Sequence, residues 1–387
     1  MQRQSREWTR RGLLYGVGGG FLIGQQLVQA AAAQQPVPKQ KAENAPFPPE
    51  RRLGWAVVGL GKFALNQILP SFAECKRSKL VALVSGTPDK ARQVASQYGV
   101  EPGNIYDYQN FDAIQSNPAI DVVYVIVPNA LHPEFTVRAA RAGKHVMCEK
   151  PMAPTPAECE RMIAECRRAN RKLMIAYRAQ YDPFNRTAIE MVRKGELGKL
   201  KLIVADHGRI LDPADPADRW RMDKKLAGGG SLVDIGIYSL NATRYLTGEE
   251  PVAVSAMVYS PVGDPRFQQV EETVSFLLRF PSGTQATCTS SYGCAEVKRY
   301  RVFGDKAFLD LDPATDYERH RLVVGDKQGE QEKQIPNQNQ FALEIDHLSE
   351  CIAEEREPHT PGAEGLRDVR IMQAIYEAAA SGQTIRL

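Results

Sequence analysis

The sequence predicts an α/β N-terminal half built on a parallel sheet, followed by an α+β half with a large open, mainly antiparallel sheet. Three observations predict it. The chain has 387 residues, more than one compact core usually holds, so two domains are expected. From Leu53 onward, short apolar runs alternate with helix-patterned stretches, as in parallel βαβ units. Beyond residue 250 the pattern changes to alternating apolar and polar residues, which read as antiparallel strands with one polar face.

Composition narrows the class. The chain is 43% hydrophobic and 25% charged, ordinary for a soluble globular protein. A net charge of +3, with no basic stripe interleaved with aromatics, argues against a nucleic-acid binder. The seven cysteines are scattered, with no CxxC and no zinc spacing, so no metal is expected. Most read as buried small apolar residues. A Cys288–Cys294 bridge is the other reading for that pair.

Residues 1–33 read as an address. Arg10 and Arg11 precede a mildly apolar run from Leu13 to Ile23, and small residues Ala30 to Ala33 follow. That is the pattern of a twin-arginine export signal, removed on arrival in the periplasm. A membrane span needs about 20 apolar residues, and Gln25 and Gln26 break this run. An uncleaved interfacial anchor is the competing reading. Residues 34–52 carry five prolines and almost no aliphatic side chains, which makes them an extended arm. The arm is either a spacer or a strap over a ligand or a neighbouring subunit, with Phe47 as its one large apolar anchor.

The first domain is expected over 53–176. "LGWAVVGLGKFALN" is a strand, a glycine turn and a helix start, matching G-x-G-x-x-A at Gly59, Gly61 and Ala64. Gly59 permits the tight turn, Gly61 lets backbone approach a pyrophosphate, and Ala64 packs helix on strand. Unpaired N–H groups of the turn then face phosphate, so Leu60, Lys62 and Phe63 are cofactor-side residues too. In this strand-to-helix setting the motif predicts a Rossmann domain. "KLVALVS", "DVVYVIV" and "KHVMC" continue it as strands, with "PDKARQVASQYG" and "HPEFTVRAARAG" as helices.

An acid at the end of the second strand would bond a ribose 2′-OH. Ser85, Gly86 and Thr87 stand there instead, and Asp89 comes too late, in a helix first turn. Two hydroxyls and Lys90 suit a 2′-phosphate, so NADP is the expected cofactor. The other reading of Lys90 is a solvated helix residue. Tyr108 is grouped with the cofactor-binding residues. Pro128 and Asn129 lie at a carboxyl strand end, where open α/β sheets bind ligands. His132 either starts the next helix or lines the site.

Cys148 ends a strand at the same edge, so Glu149 and Lys150 project toward the nicotinamide rather than into the core. A lysine there can hold a substrate oxygen and act on a neighbour's proton. A cis Lys150–Pro151 bond would fix the turn that aims it. In the second half, expected over 177–387, Asp234 and Tyr238 are i and i+4 on a helix, continued by Asn241 and Tyr245. A plain reading is an Asp234–Tyr238 hydrogen bond that holds the helix.

"GLGKFALN", "CEKPM", "LMIAYR" and "GGGSLVDIGIYSLNATRYLTGEEP" together resemble the oxidoreductase family named for glucose–fructose oxidoreductase and inositol dehydrogenase. The resemblance runs from about Pro36 to the C-terminus. The tyrosine of "DIGIY" and the export signal point to the glucose–fructose branch. It implies Lys150, Asp234 and Tyr238 as the catalytic set, with Asp234 bonding a sugar hydroxyl. Tyr177 and Tyr181 would line the sugar site with them. Arg178, and Trp220 with Arg221, would serve the cofactor. A phenol is a poor base at neutral pH without a cation nearby, and Lys150 would supply it.

The implied reaction is ping-pong: Tyr238 takes a proton from glucose as NADP⁺ takes hydride, giving gluconolactone. Fructose is then reduced to sorbitol. An exported enzyme that cannot exchange its cofactor must reoxidise it in place, which favours such a sugar pair with tightly bound NADP. Aldose–aldose transfer, a dehydrogenase with exchangeable NADP, and a non-catalytic sensor are the alternatives. "DHGRILDPADPAD", 206–218, does not match the branch pattern and leaves the second substrate open. A homo-oligomer, dimer or tetramer, through the exposed sheet face and the arm is also implied.

Overall fold

The computed structural model describes residues 52–387, so the export signal and the arm up to Arg51 lie outside the described residues. The first half is a six-stranded parallel sheet of order β3-β2-β1-β4-β5-β6. Its strands are β1 (Leu53–Val58), β2 (Ser78–Val84), β3 (Ile105–Tyr106), β4 (Val122–Val125), β5 (His145–Glu149) and β6 (Leu173–Ala176). They are near-continuous apolar runs because both faces are covered. The chain order reverses beside β1, so the carboxyl ends of β1 and β4 flank the crevice where such sheets bind ligands.

The second half is a nine-stranded sheet of order β14-β13-β12-β11-β7-β10-β9-β8-β15. The five expected strands appear as β8 (Ala253–Tyr259), β9 (Thr273–Arg279), β10 (Gln285–Ser291), β11 (Gly293–Gly304) and β12 (Phe308–Leu311). The sequence reading missed β13 (Leu322–Asp326), β14 (Gly329–Glu332) and β15 (Ile385–Arg386), which extend the edges. It also missed β7 (Leu200–Ile210) in the middle. β7 pairs with β10 in parallel and with β11 antiparallel, which joins the hairpins into one sheet. One face packs under the helix Ile237–Thr247, and Leu202, Ile210, Met257 and Leu277 are exposed.

The helix Gln340–Ala353 returns to the first sheet. Phe341, Ala342, Ile345 and Leu348 share a core with Trp55, Leu83 and Tyr124, and the Trp55 indole donates to Ser349 Oγ at 3.1 Å. The last helix, Gly362–Ser381, packs on β8 and on the helix Pro156–Arg168. The two halves are therefore locked by chain segments that cross back. No helix of the described residues is long and apolar enough to cross a membrane, and none of their His, Cys, Asp and Glu side chains form a metal-sized group. All seven cysteines are free, with Cys288 buried and Cys294 exposed, so the alternative bridge is not present.

Candidate active site

A cavity of about 460 Å³ lies at the carboxyl edge of the parallel sheet. Gly59 ends β1 at φ +96, and a Cβ there would lie 2.0 Å from the Ile126 carbonyl oxygen. Only glycine makes that turn. At Gly61 a Cβ would meet nothing within 4 Å, because that position opens onto the cavity. Leu60, Lys62, Phe63 and Ala64 line the same wall. Pro128 and Asn129 follow β4, and the Asn129 amide donates to the Ala227 carbonyl at 2.8 Å.

Lys90 and Tyr108 also line the cavity. Lys90 is buried, and among the described residues its ammonium has no partner. A buried, unpaired cation facing a cavity is costly unless an anion joins it. Burial lowers its pKa for the same reason. This orphan and the open glycine turn fit a dinucleotide with a further phosphate. Ser85, Gly86 and Thr87, expected beside it, do not line the cavity. They form a turn behind it, where the Thr87 amide donates to Ser85 Oγ and Gly86 packs on the Tyr108 ring. Burial there pushes the Tyr108 phenol up to about 12.

His132 is buried beneath the site. It starts the helix His132–Arg141 and lines the cavity, while its ring nitrogens lie 2.8 Å from the Val127 carbonyl and 2.9 Å from that of Pro151 and so clasp two turns. Glu149 lines the cavity and accepts from the Tyr124 hydroxyl at 2.7 Å. The Lys150–Pro151 peptide is cis, and Lys150 Nζ donates to the Asp234 main-chain carbonyl at 2.7 Å. The same ammonium lies 4.7 Å from the centroid of the Tyr238 ring.

Asp234 sits in a π-helical turn, Leu232–Gly236, that leads into the helix Ile237–Thr247. Its hydrogen bonds fall on one carboxylate oxygen, Oδ2. Arg221 Nε donates at 2.8 Å and the Tyr292 hydroxyl at 2.7 Å, with Arg209 at 3.7 Å and Lys150 at 3.6 Å. Burial would raise its pKa, but Arg221, Lys150 and Arg209 outweigh that and hold it far below the usual carboxylate range. The anticipated Asp234–Tyr238 hydrogen bond is replaced by Asp234–Tyr292. Among the described residues Oδ1 meets only the Lys150 ammonium, at 3.6 Å, and accepts no hydrogen bond, so one carboxylate oxygen stays open for the sugar hydroxyl that the resemblance assigns to Asp234. Asn241 and Tyr245, one and two turns on, face the core, bonding Asp368 and Asn185.

Tyr177 and Tyr181, expected to line the sugar site, are turned away. β6 breaks into a 3-10 turn at Arg178–Gln180, which reorients the neighbours. Tyr177 is buried toward Asp368 and Glu364, and Tyr181 bonds Thr360 at 3.0 Å. Arg178 alone faces the cavity. Its guanidinium lies 4.9 Å from the Tyr238 ring centroid and bonds the Thr315 and Asp316 carbonyls and Gln340. Trp220 and Arg221 both line the cavity, with Arg221 stacked 4.5 Å from the Trp220 centroid.

Sequence reasoning missed the rest of the wall. His207 stacks on Tyr238, with centroids 5.0 Å apart and an interplanar angle of 25°. Arg209 holds Asp218 through two bonds of 2.8 Å. Lys298, Thr315 and Tyr317 come from distant strands and loops. Only His207 and Arg209 left a signal, as i and i+2 polar residues on one face of the unmatched stretch. That stretch also carries Asp215, whose carboxylate meets the Lys62 ammonium at 2.9 Å on the cavity wall.

Comparisons with known proteins identify the family. Residues 53–177 match the model described as "Oxidoreductase family, NAD-binding Rossmann fold", and residues 185–310 match the GFO/IDH/MocA C-terminal domain. A D-xylose 1-dehydrogenase [NADP(+)] of Haloarcula marismortui is 31% identical over 86% of this chain and 92% of its own. The crystal structure of an aldose–aldose oxidoreductase from Caulobacter crescentus, complexed with glycerol, is 51% identical, with a TM-score of 0.84 over 87% of this chain and 100% of that one. KijD10, a 3-ketoreductase from Actinomadura kijaniata seen with NADP and TDP-benzene, is 23% identical with a TM-score of 0.75 over 85% and 98%, and shares the fold. The chain is thus an oxidoreductase with a Rossmann domain, and it belongs to the GFO/IDH/MocA family.

Proposed function

We propose that the protein is an NADP-dependent sugar oxidoreductase that oxidises one aldose to its lactone and reduces a second aldose to an alditol. The observation that carries it is the bracketing of Tyr238 by Lys150 and Arg178, 4.7 and 4.9 Å from its ring, inside the cavity that begins at the glycine turn. The resemblance pointed to a ketose as the second substrate. Full-length similarity at 51% identity to an aldose–aldose oxidoreductase supports an aldose instead.

The Gly59–Ala64 turn would hold the pyrophosphate and Lys90 the additional phosphate. Bound there, NADP supplies the hydride acceptor for the first substrate and the hydride donor for the second. Tyr238 takes the proton of the C1 hydroxyl as the first aldose becomes a lactone, and returns it to the carbonyl oxygen of the second. The two charges over its ring oppose the cost of the negative charge that develops on the phenol oxygen between these events. Asp234 positions Arg221 and Tyr292 through Oδ2 and keeps Oδ1 for a sugar hydroxyl.

Retention of the cofactor and export by the first 33 residues complete the proposal. Both rest on the signal pattern and the proline-rich arm. The exposed apolar side chains of the nine-stranded sheet support a homo-oligomer. The test is spectroscopic: purify the full chain without added nucleotide, then add one aldose and afterwards a second aldose or a ketose. Reduced-nicotinamide absorbance should rise and then fall with the second aldose. A fall only with ketose restores the glucose–fructose reading. A rise that reverses only with free NADP⁺ makes it a simple dehydrogenase. No rise with any aldose overturns the proposal.

A further inference from the structure

His207 belongs to the stretch the sequence reading could not match, and no step of the proposed reaction uses it. It lies on β7, is buried, lines the cavity, and stacks on Tyr238 at 5.0 Å. Its Nδ1 is 3.2 Å from Thr315 Oγ1, the one hydrogen bond of this ring among the described residues.

The surrounding wall explains why the other ring nitrogen, Nε2, matters. A sugar hydroxyl both donates and accepts, so it needs an acceptor as well as a donor. Donors abound here, with Lys150, Arg178 and Lys298 all close to the imidazole. Many carboxylate oxygens along the cavity are engaged: Glu149 Oε1 by Tyr124, both oxygens of Asp218 by Arg209, Asp234 Oδ2 by Arg221 and Tyr292, and Glu296 Oε1 by Lys298. His207 Nε2 joins Asp234 Oδ1 as an acceptor that the wall leaves open. Burial first, then the charges of Arg178, Lys150 and Lys298, hold the imidazole well below its ordinary pKa, so the ring is neutral. In the tautomer that donates from Nδ1 to Thr315, the Nε2 lone pair is free to accept.

Building on the sugar-oxidoreductase reading, we propose that His207 is a specificity-determining residue, whose Nε2 accepts a hydrogen bond from a substrate hydroxyl neighbouring the carbon that reacts at Tyr238. The near-parallel rings place the imidazole and the phenol side by side on the cavity wall. The site then selects aldoses that carry that hydroxyl over their deoxy analogues. A buried acceptor left unpaired by a deoxy sugar penalises that sugar strongly.

The experiment measures kcat/KM for an aldose and its 2-, 3- and 4-deoxy analogues in wild type and in His207→Phe, which keeps a stacking ring without the acceptor. In wild type one analogue should be poorer by about 10²-fold or more. In His207→Phe the parent sugar should fall to the level of that analogue, the analogue should be unchanged, and the other deoxy penalties should persist. Equal penalties in the two proteins overturn the inference. Should His207→Phe fail to fold, Thr315→Val, which frees Nδ1, is read the same way: a selective loss of one penalty supports the inference and a uniform loss overturns it. Wild type inactive on every aldose would sink the functional proposal itself, whereas active wild type with unaltered selectivity in the variant sinks this inference alone.

Discussion

The Lys150 ammonium donates to the main-chain carbonyl of Asp234 at 2.7 Å, reaching from the end of a parallel strand of one half to the π-helical turn of the other. The contact holds the charge over the Tyr238 ring whatever the state of the Asp234 carboxylate. Lys150→Met keeps the stem and removes the charge. We expect kcat to fall by about 10²–10⁴ with nucleotide still bound. Single-turnover kinetics on the nucleotide-loaded protein check it.

Tyr238→Phe removes the proton-carrying oxygen and leaves the ring against Lys150, Arg178 and His207. Both half-reactions should slow by a similar factor, again about 10²–10⁴, because one oxygen serves both directions. Activity within a few-fold of wild type would remove Tyr238 from the mechanism.

Lys90 provides the buried cation for which the described protein offers no anion. Lys90→Ala should weaken NADP binding by about 10–100-fold, the value of a charge-assisted hydrogen bond, and leave NAD affinity unchanged. Titration of both nucleotides decides it. An equal loss for both makes Lys90 a packing residue.

The Lys62–Asp215 pair lines the cavity, but it is exposed and screened, so it is worth at most about 1 kcal/mol. Asp215→Asn should speed nucleotide release by only about 2–5-fold. A chain lacking residues 34–50 should release it faster still if the arm is the principal strap. Dissociation measured on both proteins separates the two contributions.

Two imidazoles accept main-chain N–H groups, His145 from Lys172 at 3.0 Å and His347 from His359 at 2.9 Å, which requires each acceptor nitrogen unprotonated. Burial chiefly, aided by nearby arginines, brings both to about 4. An unfolded histidine titrates near 6.5, so between about 6.5 and 4 the unfolded chain binds more protons. Stability is therefore fully present above that window and is lost as pH falls through it. The slope from His145 should be at most about 1.4 kcal/mol per pH unit, and His347, more exposed, should give less. Urea unfolding at several pH values should show the slope, and His145→Gln should flatten it.

The first half was readable because each of its strands is a continuous apolar run followed by a turn with its own chemistry. Gly59 and Gly61, Asn129, and Glu149 with Lys150 all lie at the edge their strand ends predict. β7 was hidden because its alternation turns polar as it enters the site. Ile203 and Ala205 are buried as a core strand requires, but His207 and Arg209 continue the same face. Tyr177 and Tyr181 were misplaced because residue spacing does not record the 3-10 turn that redirects them. Arg178 was read as a cofactor residue, and its place over Tyr238 depends on Gln340 from a helix far along the chain. The i, i+4 relation of Asp234 and Tyr238 was correct in sequence, but the π turn and Tyr292 gave the carboxylate a different partner.

The proposed proton-transfer pair is divided between the halves, Lys150 after a strand of one and Tyr238 on a helix of the other. The helices that return to the first half therefore also fix how far the ammonium stands from the phenol. A substitution in that seam, remote from the cavity, reaches the pair without touching either member.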